Sequence, residues 1–270
     1  MLERKLIEAL HYIKKFKGKT FVIKFGGEIL EDENVLDTVA EDLCLLHDIG
    51  IKLVVMHGAG TLISSNMRKF GLEPEFVRGE RVTDEKTLEL VISSLIRVNN
   101  KIVGNINKNN PIAIGLGGSV FRVRRKRKEL GYVGEVIDVN SKLLSEIIES
   151  GYMPVIFPIG IDESGNSFNI NADVVAGEVA KALNATKMII LTNVDGVLDR
   201  NGRLIKQLDI KSARELIKNE VVTGGMIPKL ESGIRALSEG VERVHIVKAG
   251  EHAILGELLT KEGSGTMLLR

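Results

Sequence analysis

Short apolar runs rich in β-branched residues recur along this chain, each closing on glycine or a polar turn. Each is followed by a stretch whose apolar residues repeat with the period of a helix. This alternation limits the fold more than any other feature. Near-continuous apolar strands are buried on both faces, and helices between them supply the cover for a mostly parallel sheet. The pattern predicts strands over 20–25, 51–56, 111–115, 153–157, 187–192 and 244–248, with a last one over 266–269. It predicts helices over 35–49, 84–104, 141–150, 173–183, 211–219 and 229–239. The expected fold class is therefore α/β. With 270 residues, and about 150 per domain, two packed lobes or one large α/β domain are expected.

Polar clusters at 162–166 and 199–202, both with glycine, read as tight turns or hairpins. At the N-terminus, Leu2, Leu6, Leu10 and Ile13, with Ile7 beside them, form an apolar stripe on a predicted helix. That stripe can cover the chain's own sheet, or serve as an arm that packs on another subunit.

Composition excludes several classes. Lys plus Arg total 37 and Asp plus Glu total 36, so a formal charge of +1 gives no global attraction to nucleic acid or an anionic membrane. Cys44 is the single cysteine, which rules out an intramolecular disulfide and fits a reducing cytoplasm. No apolar run reaches the roughly 18 residues of a membrane span. Glu3, Glu8 and several lysines interrupt the first apolar residues, unlike a secretory leader. A cytoplasmic protein is expected.

Three predicted strands end in glycine-rich loops: Lys24-Phe25-Gly26-Gly27, His57-Gly58-Ala59-Gly60 and Gly115-Leu116-Gly117-Gly118. Ligands of open α/β sheets bind outside the carboxyl ends of strands, and glycine there lets backbone N–H groups approach an anion. Two or more such loops on one edge make a candidate phosphate site. Any one alone is equally a tight turn that needs glycine for its conformation. Neither a Walker loop nor a GxGxxG fingerprint occurs, which argues against the P-loop and Rossmann dinucleotide readings.

Lys24 ends an otherwise apolar strand, where an ammonium is costly unless it meets an anion or snorkels to solvent. Lys229 follows Gly224-Gly225-Met226-Ile227-Pro228 at a helix start, opposing the helix dipole. Two such lysines beside glycine loops suit phosphoryl transfer, in which placed positive charge does most of the catalysis. Asn169-Ile170-Asn171-Ala172-Asp173 opens another helix. Asn171 or Asp173 can serve as its cap; alternatively Asn169 binds substrate while Asp173 orients both lysines. Cys44 and His47 share a helix face, but two groups are too few for a metal site, and His57 is assigned a structural role.

Taken together, these motifs resemble the amino acid kinase family over essentially the whole chain. Arg78-Gly79-Glu80-Arg81-Val82-Thr83-Asp84, residues 130–135 and Leu191-Thr192-Asn193-Val194-Asp195-Gly196-Val197 extend the match. The resemblance implies a three-layer αβα sandwich on an eight-stranded sheet. It implies an N-terminal acyl-amino-acid-binding and oligomerisation lobe, residues 1–168, and a C-terminal nucleotide-binding lobe, residues 169–270. The branch it resembles most transfers phosphate from ATP, with Mg²⁺ carried on the nucleotide and no metal ligand from the protein, to the γ-carboxylate of N-acetyl-L-glutamate in arginine biosynthesis.

The implied roles follow the matching positions. Lys24 and Lys229 would stabilise the transferring group, Asp173 would hold them, and Gly26, Gly27, Gly58, Ala59 and Gly60 would cradle phosphate. Arg81 would pair with the substrate α-carboxylate, and Asn169 with its acylamino group. Thr192, Asn193, Val194, Gly196, Gly225 and Met226 would line the nucleotide. The N-terminal stripe and the C-terminal segment resemble the arm and effector site of arginine-inhibited relatives, which implies a homodimer or a hexamer and an arginine site at Tyr12, His252, Glu262 and Gly265.

The chain departs from the family pattern at Ala59 in place of the usual glycine, at Gly117-Gly118-Ser119 with a shortened hairpin after it, and at Asn193 in place of aspartate. The run 122–128 holds six basic residues in seven. It is either a solvated hairpin face or a dock for an acidic carrier protein, as in relatives that phosphorylate carrier-linked glutamate or aminoadipate. The Gly224 to Lys229 motif favours the free substrate. A non-catalytic amino-acid sensor on the same fold is the reading from another class.

Overall fold

Thr20–Phe25, the first strand, is already buried almost throughout, as its apolar run requires. The computed structural model of the chain describes residues 2–27, 29, 32–260 and 263–270. Its first half runs α1 (Leu2–Phe16), β1 (Thr20–Phe25), α2 (Glu33–Asp48), β2 (Lys52–His57), α3 (Gly60–Lys69), β3 (Phe76–Val77), β4 (Glu80–Arg81), α4 (Glu85–Asn109), β5 (Ala113–Leu116), β6 (Phe121–Arg125) and β7 (Gly134–Val139). Then come α5 (Ser141–Glu149), β8 (Met153–Ile156), β9 (Ile159–Ile161), β10 (Ser167–Asn169), α6 (Ala172–Ala182) and β11 (Lys187–Thr192). The chain closes with β12 (Gln207–Asp209), α7 (Ile210–Lys218), α8 (Met226–Ser238), β13 (Arg243–Lys248), α9 (Ala253–Leu258) and β14 (Thr266–Leu269).

Among the described residues, eight strands form the main sheet in the order β12-β14-β13-β11-β1-β2-β8-β5. All neighbours are parallel except β13 and β14. Alternate residues of β1 divide between two cores, because strand side chains point to opposite faces with period two. Phe21, Ile23 and Phe25 join α2 and α4 residues such as Leu43 and Leu95 on one face. Val22 joins α6 and α8 residues such as Val175 and Leu237 on the other. This is the expected three-layer sandwich. A second sheet, β10-β9-β6-β7, and the short β3–β4 hairpin stand apart from it.

The seven expected strands fall within two residues of their expected positions; β3, β4, β6, β7, β9, β10 and β12 escaped the reading, and some helices differ. α4 continues past Gly104 to Asn109, because Ile102 and Ile106 keep the buried i,i+4 stripe going. α8 begins at Met226, so Lys229 lies within its first turn. α3 escaped the periodicity reading: it buries only Ile63 and Met67 behind a polar exterior. Both turn clusters are hairpin turns, with Asp162 and Asp199 side chains each accepting backbone N–H bonds within the loop.

The topology fixes where a ligand goes. β1 is flanked by β2 on one side and β11 on the other, so strand order reverses there and the carboxyl ends of all three open at one edge.

Candidate active site

Both glycine loops after β1 and β2 reach this edge and touch. A Cβ placed on Gly27 would lie 3.1 Å from the Ala59 Cα, so only glycine permits that approach without displacement. Ala59 itself has a φ of −142°, ordinary for any L-residue, and its methyl is buried in the core; the departure from glycine therefore carries no strain.

Lys24 emerges from β1 on the face covered by α6. At the N-terminus of α6 the Asn171 side chain accepts from the Asp173 and Val174 N–H groups, so Asn171 supplies the cap. That leaves the Asp173 carboxylate for other partners. Lys24 Nζ lies 2.7 Å from Asp173 Oδ1, and Lys229 Nζ, from the first turn of α8, lies 3.4 Å from Oδ2. Burial pushes the Asp173 pKa up, but the charges and hydrogen bonds of Lys24 and Lys229 outweigh it and hold the carboxyl below its ordinary value. Ser232 Oγ donates to the Asp173 carbonyl, which ties α8 to the same turn. The anion that Lys24 needs is thus the protein's own.

A cleft of about 230 Å³ opens from this triad, lined by Gly26, Gly27, Gly58, Ala59, Gly60, Arg81 and Asn169 together with Lys24, Asp173 and Lys229. Arg81 leaves β4 and is buried; its guanidinium donates to the Gly60 carbonyl at 3.1 Å and to Ser64 Oγ at 2.9 Å, and stacks over the Phe76 ring. Asn169, at the end of β10, donates to Thr83 Oγ1 at 3.3 Å. Backbone bonds bind these pieces together. Thr83 N–H donates to the Leu130 carbonyl, Tyr132 N–H to that of Thr83, and Asn169 N–H to that of Tyr132. The segment between β6 and β7 therefore braces both Arg81 and Asn169.

The third glycine loop does something else. Gly115 to Gly118 do not line the cleft. A Cβ at Gly117 would collide with the Phe157 ring and one at Gly118 with Ile161, so those glycines serve close packing. His57 is fully buried, and burial lowers its pKa to about 4. Its neutral ring accepts at Nε2 from Asn99 Nδ2 at 3.0 Å, in keeping with a structural role. Cys44 is buried with Sγ on the Ile106 carbonyl, and the His47 ring faces the Gly151 carbonyl, so that pair is likewise structural.

The expected nucleotide residues lie beside this cleft and not in its lining. Thr192 ends β11 next to β1, and Asn193 and Val194 are exposed after it. Gly196 has a φ of +141° and packs against Thr266, whose hydroxyl accepts from Val197 N–H. Gly225 caps α8 and Met226 is its first residue.

The expected effector residues separate. Tyr12 and Gly265 line one cavity of about 130 Å³, between α1 and the region around β13 and α9. His252 does not line it; its Nδ1 lies 2.7 Å from Asp42 Oδ1. Glu262 lies outside the described residues. The cavity instead holds Lys187, His245 and Glu257, which the sequence reading missed. His245 Nδ1 lies 2.6 Å from Glu257 Oε1, and Lys187 Nζ lies 3.3 Å from His245 Nε2. Burial acts to raise the Glu257 pKa, but His245 and the N–H groups of Ser264 and Gly265 lower it to about 2; burial lowers that of Lys187 to about 8. The only sequence signal for them was polar residues at otherwise apolar strand and helix positions.

Two lysines held by one carboxylate, in a glycine-walled cleft at the reversal of a parallel sheet, form on this α/β fold an arrangement suited to phosphoryl groups. The model of the amino acid kinase family matches residues 19–248, and the chain belongs to that family. It is 48% identical over 270 residues to the acetylglutamate kinase of Kosmotoga olearia, covering 97% of this chain and 95% of that one. With the acetylglutamate kinase of Methanocaldococcus jannaschii it shares 44% identity over 285 residues, covering 98% and 95%.

Among solved structures, the N-acetylglutamate synthase of Neisseria gonorrhoeae, complexed with coenzyme A and N-acetyl-glutamate, superposes with a TM-score of 0.92 at 28% identity. That match covers 100% of this chain but 64% of the synthase, so this chain spans less than two thirds of its length. Carbamate kinase from Giardia lamblia bound to AMP-PNP, at 18% identity and a TM-score of 0.72, shares the fold.

Proposed function

We propose that this chain transfers the γ-phosphoryl group of ATP to the γ-carboxylate of N-acetyl-L-glutamate, giving ADP and an acyl phosphate. The observation that carries this reading is the Lys24–Asp173–Lys229 bridge in the cleft that Arg81 and Asn169 also line. The acceptor carboxylate is ionised at neutral pH, so no general base is needed. Its oxygen bonds to phosphorus as the bond to the β,γ-bridging oxygen breaks, and ADP leaves with that electron pair. Lys24 and Lys229 offset the charge on the transferring group while Asp173 keeps both ammonium groups aimed at it. Backbone N–H groups of Gly27 and Ala59 add donors, Arg81 takes the α-carboxylate, and Asn169 the acylamino group. Alignment supplies the rest of the rate.

Mg²⁺ would arrive on the nucleotide phosphates. Asp173 is committed to two lysines, so it is not a metal ligand in this reading. Residues 1–168 form the acceptor lobe and 169–270 the nucleotide lobe, where the loop 192–197 and the start of α8 face the base.

The cavity that Tyr12 and Gly265 line supports arginine as a feedback inhibitor. Ile7 and Leu10 of α1, 67% and 55% exposed, support assembly of copies through that helix into a dimer or hexamer. A cytoplasmic setting is in keeping with both the substrate and the lone buried Cys44. The deciding assay measures ADP release from Mg-ATP with and without N-acetyl-L-glutamate and traps acyl phosphate with hydroxylamine. Substrate-dependent ADP with hydroxamate supports the reading; ATP binding without turnover removes it. Added arginine, and the mass and arginine response of a chain lacking 1–16, test the two finer points.

A further inference from the structure

The basic run 122–128 is less free than its sequence implies. Arg124 pairs with Glu135, Arg125 stacks over Tyr132 and Phe168, and Lys126 Nζ lies 2.8 Å from Glu80 Oε1. This last contact joins the β6–β7 hairpin to β4, the strand that carries Arg81. Glu80 lines the catalytic cleft, and its side chain is only 13% exposed. A carboxylate so placed is out of keeping with its surroundings. The cleft must take a dianionic amino-acid derivative beside a nucleoside triphosphate, yet Glu80 adds a carboxylate to its wall. Lys126 is its one ion-pair partner among the described residues.

We propose that Lys126 is a positioning residue for acceptor binding, and that it works by neutralising the Glu80 carboxylate in the wall of the cleft. This rests on the acceptor reading above. Without Lys126, the Glu80 carboxylate leaves an uncompensated negative charge in the cleft wall, which repels the acceptor carboxylate. The lysine therefore governs acceptor affinity, while Lys24 and Lys229 still handle the phosphoryl group.

The test is a mutant cycle on the full-length enzyme, with KM for N-acetyl-L-glutamate, KM for ATP and kcat measured for each protein. Lys126→Met should raise the acceptor KM about three- to tenfold, the effect of one uncompensated charge near the ligand, with the ATP KM and kcat within about twofold. Lys126→Arg should keep the acceptor KM near wild type. Glu80→Gln combined with Lys126→Met should return it to within about twofold, because no carboxylate remains to be neutralised. An unchanged acceptor KM in Lys126→Met overturns the inference. So does a raised KM that Glu80→Gln fails to rescue, since the lysine would then act through packing. Should Lys126→Met fail to fold, Lys126→Gln with the same rescue decides between these outcomes. A wild type that ignores N-acetyl-L-glutamate removes the acceptor reading instead, which separates the two failures.

Discussion

Replacing Asp173 with asparagine keeps the shape of the side chain and removes the charge that two lysines share. At an effective dielectric of about 20, unit charges at the observed 2.7 and 3.4 Å attract by about 6 and 5 kcal/mol. Desolvation of three groups cancels most of that gross attraction. The loss on substitution is set instead by what remains: Lys24, 4% exposed, would stand in the interior with no counter-ion among the described residues. Removing one partner of a buried pair costs about 3–5 kcal/mol, and Asp173→Asn should lose an amount of that order in urea unfolding without ligands.

The sign reverses when an anion is present. Both ammonium groups are then released from the Asp173 carboxylate, so pyrophosphate should raise the melting temperature of Asp173→Asn more than that of the wild type. Turnover should fall by about 10²–10³, because the lysines lose their alignment. The pH dependence is a further check. The native Asp173 pKa lies below 3.8, so its stabilisation is complete above that value and is lost as pH falls through the lower native one. The asparagine variant should lack that contribution. An unligated stability within about 0.5 kcal/mol of wild type, with kcat within threefold, would refute the reasoning.

Three further outcomes are expected. Arg81→Lys should raise the acceptor KM about 100-fold with a smaller change in kcat, because one ammonium cannot reproduce the fork that meets Gly60, Ser64 and the Phe76 face; steady-state kinetics read this out. Gly131→Ala should destabilise the chain by more than about 2 kcal/mol and weaken acceptor binding, since Gly131 has a φ of +70° and an added Cβ would lie 2.2 Å from the Thr83 carbonyl oxygen; denaturant unfolding and KM check it. Glu257→Gln should cost about 1–3 kcal/mol at neutral pH by weakening the bonds to His245, Ser264 and Gly265. Because the native Glu257 pKa is depressed from 4.5 to about 2, the wild-type contribution is present above 4.5 and fades as pH falls toward 2, so melting curves of variant and wild type should converge there.

Local chemistry made the sheet strands, the hairpin turns and the glycine loops legible, because each follows from residues adjacent in the chain. The apolar run Met188-Ile189-Ile190-Leu191 can hardly be anything but a central strand, and the structure buries all of Lys187–Thr192. Lys24 was conspicuous for the same reason, as an ammonium in a run that otherwise excludes water. The sequence alone thus determined a mostly parallel α/β sheet, three glycine loops at strand ends, and a Lys24 that must meet an anion or reach solvent.

What it left open depends on groups far apart in the chain meeting in space. Whether Asp173 caps its helix or holds the lysines turned on Asn171 taking the cap, and Lys229 arrives from 56 residues away. The third glycine loop looked like the other two, but the Phe157 and Ile161 side chains behind it claim the space its glycines leave. The basic run read as a solvated hairpin face or a dock, and most of it is exposed, yet Lys126 meets Glu80 across 46 residues. Periodicity records which face of an element avoids water. Only tertiary packing decides which charges are close enough to neutralise one another, because that energy falls with distance in space and takes no account of separation along the chain.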